Sequence, residues 1–294
     1  MVTSFYCIAN FYIKIVFTHF VHEQFKVPVQ YEPFEILQEE CGSILFSLVV
    51  DNDFTFKEKG KIIGHFHSGE NHQDVYLLDD GSYQIETYNM QGTKVCEMQT
   101  NKNFTSAIIA LMGDDRKQYV MGFNNAMMIG FAFASASHSC LLMHASVTMY
   151  QDKGYLFLGK SGTGKSTHSN LWLKNFKGAE LLNDDSPALR IVQGCALVYG
   201  TPWSGKTPCY KNRHVPIGGV VMLIQQLYNR IEQRRVIDNF ACLLSSCASM
   251  VWDRRIYDAI CQNLSKIIET VPIYFMNCLP NDEAARICKE TIVK

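Results

Sequence analysis

The chain has 294 residues, of which 47% are hydrophobic and 19% charged, and its net charge is −1. This length suits one large domain or two smaller ones, and the near-neutral charge argues against nucleic acid or a membrane surface as a partner, because both favour a basic surplus. The eleven scattered cysteines include no Cys-x-x-Cys pair, which argues against a zinc site or a redox dithiol and predicts reduced thiols in a cytoplasmic protein.

Short β-like runs separated by turn signals predict a mostly β region over residues 1–102. Residues 1–17 are rich in aromatic and β-branched side chains but lack the basic start and the small-residue cleavage site of a signal peptide, so we predict a pair of strands. Further strands are predicted at Ile44–Val50, 74–78 and 83–88, with a tight turn before the last. We expect this region to recognise a substrate or to form an oligomer contact.

The pattern changes at about residue 103, where we place the start of a second domain that runs over residues 103–294. Residues 108–112 and 124–133 are compatible with helices, and the apolar stretch 126–134 is far shorter than the ~20 residues that span a bilayer. An alternating strand is predicted over residues 142–150. The remaining predictions are strands at 155–158, 181–182, 190–192, 197–199, 220–224 and 272–276, and helices at 165–176, 237–244, 256–267 and after the N-cap Asn281.

One motif carries most of the functional signal: Gly159-x4-Gly164-Lys165-Ser166 matches the Walker A pattern in full. Glycines let the backbone turn its N–H groups towards a phosphate, Lys165 places a positive charge between the β- and γ-phosphates, and Ser166 offers its hydroxyl to Mg²⁺. The motif predicts a site for ATP and Mg²⁺, although the sequence does not distinguish ATP from GTP. The predicted nucleotide-binding residues are Gly159, Lys160, Ser161, Gly162, Thr163, Gly164, Lys165, Ser166 and Thr167.

Two adjacent acids, Asp184 and Asp185, follow the apolar pair Leu181-Leu182 soon after this motif. A triphosphate site needs a carboxylate near Mg²⁺, and phosphoryl transfer to a hydroxyl needs a base or an orienting group. Neighbouring residues at a strand end point in different directions, so we expect the two acids to have different roles. An Asp-rich turn before Ser186-Pro187 is the alternative interpretation.

A family resemblance appears when four segments are taken together. Leu142-Met143-His144-Ala145-Ser146, the strand 154–158, the Walker A motif and Asn183-Asp184-Asp185 resemble HPr kinase/phosphorylase and its relatives. That family shares a P-loop fold with ATP-dependent phosphoenolpyruvate carboxykinase. The resemblance covers about residues 141–190 and extends loosely to the C-terminus. It implies an α/β fold (α+β overall), with a phosphoenolpyruvate carboxykinase/HPr kinase C-terminal-like P-loop domain after the mostly β region.

The resemblance also implies roles for three residues. His144 would lie near the transferred phosphate, Asp184 would be the general base towards a serine hydroxyl, and Asp185 would help Ser166 to hold Mg²⁺. A shift of one residue in the strand would exchange the roles of the two acids. A hydrogen-bonded, buried histidine is the alternative for His144. HPr kinases form hexamers, so the resemblance also implies a homo-oligomer.

The segment Gly200-Thr201-Pro202-Trp203-Ser204-Gly205-Lys206 resembles one that is common in HPr-kinase-related proteins, and it places Lys206 as a further cation for the γ-phosphate. Two family features are missing. The sequence has no equivalent of the segment that supports phosphorolysis. It also lacks the Lys and His metal ligands and the oxaloacetate-binding Arg of the carboxykinases.

These observations predict an ATP-dependent kinase that transfers the γ-phosphoryl group to a hydroxyl, of the serine type, on a protein, peptide or small molecule. Its predicted catalytic residues are Asp184, Lys165 and His144. Two other functions stay open at this point: a non-catalytic ATP-binding regulator and a carboxykinase-like metabolic enzyme.

Overall fold

The computed structural model describes residues 1–18, 21, 25–68, 71–205 and 207–294. The chain divides into two compact units, residues 1–135 and 136–294. The boundary that the sequence predicted after residue 102 falls inside the first unit, because the strand Ser106–Leu111 and most of the helix Arg116–Ala136 belong to it.

The first unit is built on a nine-stranded sheet and contains the helix α1 (Arg116–Ala136). The sheet order is β3-β1-β2-β4-β9-β8-β7-β6-β5, and only the β2–β4 and β4–β9 pairs are parallel within the described residues. Two short 3-10 helices span Val29–Phe34 and Gln38–Glu40. The strands are β1 (Val2–Ile8), β2 (Phe11–Phe17), β3 (Glu35–Ile36), β4 (Ile44–Val50), β5 (Lys61–Ser68), β6 (Asn71–Leu77), β7 (Tyr83–Asn89), β8 (Lys94–Thr100) and β9 (Ser106–Leu111).

The strands predicted within residues 1–17, at Ile44–Val50 and at 83–88 are confirmed. The helix predicted at residues 108–112 is wrong: this run lies in β9, between β4 and β8. A short apolar run without polar residues fits a buried strand as well as a buried helix, and here the two neighbouring strands satisfy its backbone.

The helix predicted at residues 124–133 is part of the longer α1, which continues through Gly130. A Cβ atom at Gly130 would lie 2.3 Å from the Phe46 ring of β4, so the missing side chain lets the helix approach the sheet. No helix among the described residues is long and apolar enough to cross a membrane.

Within its described residues, the second unit contains the remaining strands and four helices. Its sheet has the order β10-β14-β15-β16-β12-β11-β13, and β18 pairs with β16 and β17. The strands are β10 (Cys140–Leu142), β11 (Ser146–Tyr150), β12 (Lys153–Leu158), β13 (Glu180–Asn183), β14 (Ala188–Val192), β15 (Cys195–Tyr199), β16 (His214–Gln225), β17 (Arg230–Glu232) and β18 (Ile273–Cys278). The helices are α2 (Lys165–Asn175), α3 (Val236–Ser245), α4 (Arg254–Thr270) and α5 (Asp282–Ile292).

Most sequence-based predictions for this unit are confirmed to within a few residues, including the final helix and its cap. The Asn281 side chain accepts a hydrogen bond from the Ala284 N–H at 3.0 Å. The single strand predicted over residues 142–150 is instead two strands, because β10 pairs with β14 whereas β11 pairs with β12 and β13. Residues 143–145 connect them.

Strand direction brings three chain segments to one edge of this sheet. β12 runs antiparallel to β11, and β11 runs antiparallel to β13. The carboxyl ends of β12 and β13 therefore lie at the same edge as the amino end of β11, where Ser146 is in register with Phe157. Helix α2 packs behind these strands through Trp172, which is fully buried in a cluster with Tyr155 and Phe157.

Candidate functional site

The glycine-rich loop, residues 159–166, connects β12 to α2 at this edge, as the sequence predicted. Gly159, Gly162 and Gly164 have φ values of +151°, +80° and +101°, which L side chains rarely adopt. Gly164 is the N-cap of α2 and gives it no side-chain cap, so the first-turn N–H groups are left for a ligand. A turn of this kind before a helix N-terminus is suited to an anion.

Lys165 begins α2, but its side chain folds back over the loop. Its Nζ donates to the Gly159 carbonyl at 2.9 Å and lies 2.9 Å from His144 Nε2. The residue is only 9% exposed. Burial lowers the pKa of Lys165 below its ordinary value, although the negative charges of Asp185 and Asp184 act in the opposite direction. The hydrogen bond to Gly159 places the Lys165 amine beside the loop carbonyls.

His144 lies in the connection between β10 and β11 and bridges the lysine to an acid. Its Nδ1 is 3.1 Å from Asp185 Oδ1, and its side chain is 46% exposed. Because an ammonium group only donates, Nε2 accepts from Lys165 and the ring proton is on Nδ1, which donates to Asp185. His144 is thus hydrogen-bonded at both nitrogens and is not buried.

Asp185 is held on both carboxylate oxygens. Oδ1 faces His144, and Oδ2 accepts a hydrogen bond from the Ser186 hydroxyl at 2.9 Å. Burial acts to raise the pKa of Asp185, but the hydrogen bonds from His144 and Ser186 and the charge of Lys165 outweigh it, so the pKa lies below its ordinary value.

Asn183 fixes the turn that carries the two acids. Its Oδ1 accepts from the N–H groups of Asp185 and Ser186 at 3.0 and 2.9 Å. Its Nδ2 donates to Thr201 Oγ1 and to the Trp203 carbonyl, both at 3.1 Å. One buried amide therefore holds both the acidic turn and the segment 201–203.

Asp184 differs from its neighbour because only one of its oxygens is engaged. Oδ1 accepts a hydrogen bond from the Ser146 hydroxyl at 2.7 Å. Oδ2 is buried and has no hydrogen-bond partner among the described residues. The residue is 5% exposed. A buried, unpaired carboxylate oxygen is costly unless a ligand, a proton or a metal ion completes it.

Two further segments of the chain lie close to the loop and the acidic turn. Gln225, at the end of β16, donates from Nε2 to the Gly162 carbonyl at 3.2 Å. A Cβ atom at Gly205 would lie 3.0 Å from the Asp184 carbonyl, so the segment before residue 206 runs close to the acidic turn. Lys206, the further cation predicted from the sequence, lies outside the described residues.

The structure thus brings together Lys165, His144, Asp185 and the glycine-rich loop, with Asp184 beside Asp185. Ser166 is half-buried in the first turn of α2, and Lys160, Ser161 and Thr167 are exposed. No cluster of three or more His, Cys, Asp or Glu side chains that could hold a metal ion occurs in the described part of the chain. Mg²⁺ is usually held by one or two carboxylates together with substrate phosphates. This edge of the sheet supplies two carboxylates, Asp185 beside His144 and Asp184 with one oxygen unpaired among the described residues.

Sequence reasoning missed two residues of this site, Ser146 and Ser169, whose hydroxyl oxygens are 2.6 Å apart. Strand alternation does place Ser146 on the same side as His144, and helical spacing places Ser169 one turn after Lys165. These positions were the available signal, but periodicity alone does not show that the two faces meet.

No protein-family model matches this chain, and comparison with curated proteins gives no match. Among solved structures, the chain is similar to the Hpr(Ser) kinase/phosphatase from Coxiella burnetii, with 15% identity and a TM-score of 0.25. That similarity covers 32% of this chain and 77% of the solved one. The function proposed below therefore rests on the residues of this chain.

Proposed function

We propose that this protein is an ATP-dependent phosphotransferase that moves the γ-phosphoryl group to a hydroxyl of a protein, peptide or small molecule. The observation that carries the proposal is the combination of the glycine-rich loop with Asp184, whose Oδ2 is buried and unpaired among the described residues. A loop of this kind binds phosphates, whereas a carboxylate oxygen held free beside it can accept a proton.

In the proposed reaction, the loop N–H groups and Lys165 bind the triphosphate. Ser166 and Asp185 would hold Mg²⁺, which would neutralise negative charge on the phosphates. The acceptor oxygen forms a bond to the γ-phosphorus as the bond to the ADP oxygen breaks, and the hydroxyl proton moves to Asp184 Oδ2. An aspartate suffices because the transition state is loose and the proton leaves late.

His144 contributes in this scheme by position. Its contact with Lys165 holds the ammonium group at the loop, and its contact with Asp185 orients the carboxylate assigned to Mg²⁺. When a γ-phosphate arrives, Lys165 can exchange the neutral imidazole for an anionic oxygen, which is the stronger acceptor.

The test is transfer from γ-labelled ATP with Mg²⁺ into dialysed cell extract, together with direct measurement of ATP binding. We expect Lys165→Ala to abolish both binding and transfer, and Asp184→Asn to lower transfer about 10³-fold while ATP still binds. Matched controls are Lys177→Ala and Asp152→Asn, two exposed positions in turns of the same unit, which should behave as the wild type.

Other results would point elsewhere. Tight ATP binding without any labelled product, unaffected by Asp184→Asn, would indicate a nucleotide-binding regulator. Nucleotide turnover that depends on oxaloacetate would indicate a carboxykinase-like enzyme. A wild-type protein that does not bind ATP would refute the proposal altogether. Competition by unlabelled GTP in the same assay measures the base preference.

A further inference from the structure

Two buried serines connect the helix of the glycine-rich loop to Asp184. Ser146 Oγ donates to Asp184 Oδ1 at 2.7 Å, and Ser169 Oγ lies 2.6 Å from Ser146 Oγ. Ser146 and Ser169 are 0% and 1% exposed. Their hydroxyls are therefore shielded from solvent and from competing water contacts.

The direction of this hydrogen-bond chain follows from counting protons. An ionised carboxylate only accepts, and each serine has one hydroxyl proton. Ser146 gives its proton to Asp184, so the short contact to Ser169 requires Ser169 to be the donor. The chain therefore runs from Ser169 through Ser146 to Asp184. Polarisation along such a chain strengthens the final bond to the carboxylate.

The hydrogen-bond chain determines which carboxylate oxygen of Asp184 has no partner. A carboxylate that rotates about its Cβ–Cγ bond exchanges its two oxygens, and the Ser146 bond opposes that rotation. Oδ1 is held, and Oδ2 is the oxygen left without a partner among the described residues. A base that must meet one acceptor hydroxyl works best when its orientation is fixed before the substrate binds.

The three residues of the hydrogen-bond chain come from three separate segments of the polypeptide. Ser146 opens β11, Asp184 directly follows β13, and Ser169 lies in α2, four residues after Lys165. The hydrogen-bond chain thus connects Asp184 to α2, the helix that begins at Lys165.

We infer that Ser146 and Ser169 are positioning residues for the phosphoryl transfer, which hold Asp184 with Oδ2 directed to the acceptor hydroxyl. This inference rests on the proposed function. Neither serine contacts the nucleotide in this scheme, so their loss reduces the rate of transfer and leaves ATP binding intact.

Strand β11 also contains a matched control, Thr148, two residues after Ser146. Its Oγ1 is also buried but has no hydrogen-bond partner among the described residues. Thr148→Val removes a buried hydroxyl from the same strand face without touching Asp184. It therefore separates a general effect of altered strand packing from loss of the link to the carboxylate.

The first arm of the test reads the hydrogen bond without any activity. The infrared difference spectrum between each protein and its Asp184→Asn counterpart isolates the carboxylate band of Asp184. We expect Ser146→Ala to shift this band strongly, Ser169→Ala to shift it less in the same direction, and Thr148→Val to leave it unchanged. An unchanged band in both serine variants refutes the chain.

The second arm measures initial rates of transfer from γ-labelled MgATP into dialysed cell extract at varied ATP. Ser146→Ala should lower kcat about tenfold to a hundredfold with the KM for ATP unchanged, the range expected for one hydrogen bond to a charged group. Ser169→Ala should have a smaller effect of the same kind, which Ser169→Thr should restore. Thr148→Val should match the wild type.

The two proposals fail in different ways. If the wild type transfers phosphate and both serine variants keep its kcat, the positioning role is wrong and the proposed function stands. If the wild type labels nothing, the proposed function is wrong and the positioning role falls with it, whatever the infrared spectra show. A parallel rise in the KM for ATP would assign the serines to loop stability instead.

Discussion

Each unit of this protein contains a buried carboxylate, and the two are treated in opposite ways. In the first unit, the Glu86 side chain is 1% exposed and both of its oxygens are occupied. It accepts hydrogen bonds from Lys59, Lys94, Tyr76 and Tyr88. In the second unit, Asp184 is 5% exposed, accepts from Ser146 and has one oxygen without a partner among the described residues.

The difference shows that burial alone does not indicate whether a carboxylate has an oxygen free to bind a ligand. A carboxylate with four donors is complete, so a ligand would have to displace an existing partner to reach it. A carboxylate with a bare oxygen is incomplete until something binds it. The number of satisfied oxygens is therefore the more informative observation, and it can be tested by treating the two residues identically.

The largest expected effect comes from replacing each carboxylate by its amide. Asp184→Asn should lower the rate of phosphoryl transfer about 10³-fold, within the range for loss of a general base, with ATP affinity unchanged. Glu86→Gln should leave the transfer rate at the wild-type level, because Glu86 has no role in the proposed reaction. Equal losses of rate in both variants would contradict a role in transfer that belongs to Asp184 and not to Glu86.

The same pair of substitutions should have the reverse effect on stability. Glu86→Gln turns one of the four donor contacts into a donor–donor clash, and we expect it to lower the free energy of unfolding by about 1–3 kcal/mol. Asp184→Asn should change it by less than about 1 kcal/mol, because its Oδ2 has no partner to lose. Urea denaturation of both variants measures the two values.

Acid should affect Glu86 within a defined pH range. Burial acts to raise its pKa, but hydrogen bonds from Lys59, Lys94 and Tyr88 lower it from 4.5 to about 2. Between these two pH values, Glu86 is protonated in the unfolded chain but stays ionised in the folded chain. The stabilisation from Glu86 therefore declines as the pH falls from about 4.5 to about 2. Thermal melting across this range should show a weaker pH dependence in Glu86→Gln than in the wild type.

The smallest expected effect compares two glycines with nearly equal backbone angles. Gly81 in the first unit and Gly162 in the glycine-rich loop have φ values of +78° and +80°, and a Cβ atom at either would meet nothing within 4 Å. Each change to Ala should cost about 1–2 kcal/mol of stability. Only Gly162→Ala should also weaken ATP binding, as measured by titration calorimetry; equal affinities would argue against loop binding.

Much of the fold could be predicted from local patterns. The strand Ile44–Val50, for example, is predicted with both ends correct, because its apolar run is bounded by polar residues. The break at residues 143–145 could not be predicted, since the alternation of apolar and polar residues continues through it into β11 and only the pairing partners show that β10 and β11 are separate. The prediction of a helix at residues 108–112 failed for a similar reason, because pairing with β4 and β8 decides the structure of that run.

The candidate site divides in the same way. The loop is one continuous run of sequence, and so is the pair Asp184-Asp185, so the chemistry of each can be recognised as a motif. Ser146 and Ser169 are 23 positions apart, and their contact depends on how α2 packs against β11. The bridge from Lys165 through His144 to Asp185 likewise joins three separate segments, and no spacing in the sequence predicts which ring nitrogen faces which partner.

The central strand β16 determines how binding at the loop would appear in hydrogen exchange. Its residues 220–222 pair with β12 on one side and with β18 on the other, and Val220 and Val221 are fully buried. Their amide protons exchange only when this unit unfolds as a whole, whereas loop amides exchange through local opening. A nucleotide should thus slow exchange at Gly162 by direct contact, and at Val220 only by the amount that binding stabilises the entire unit.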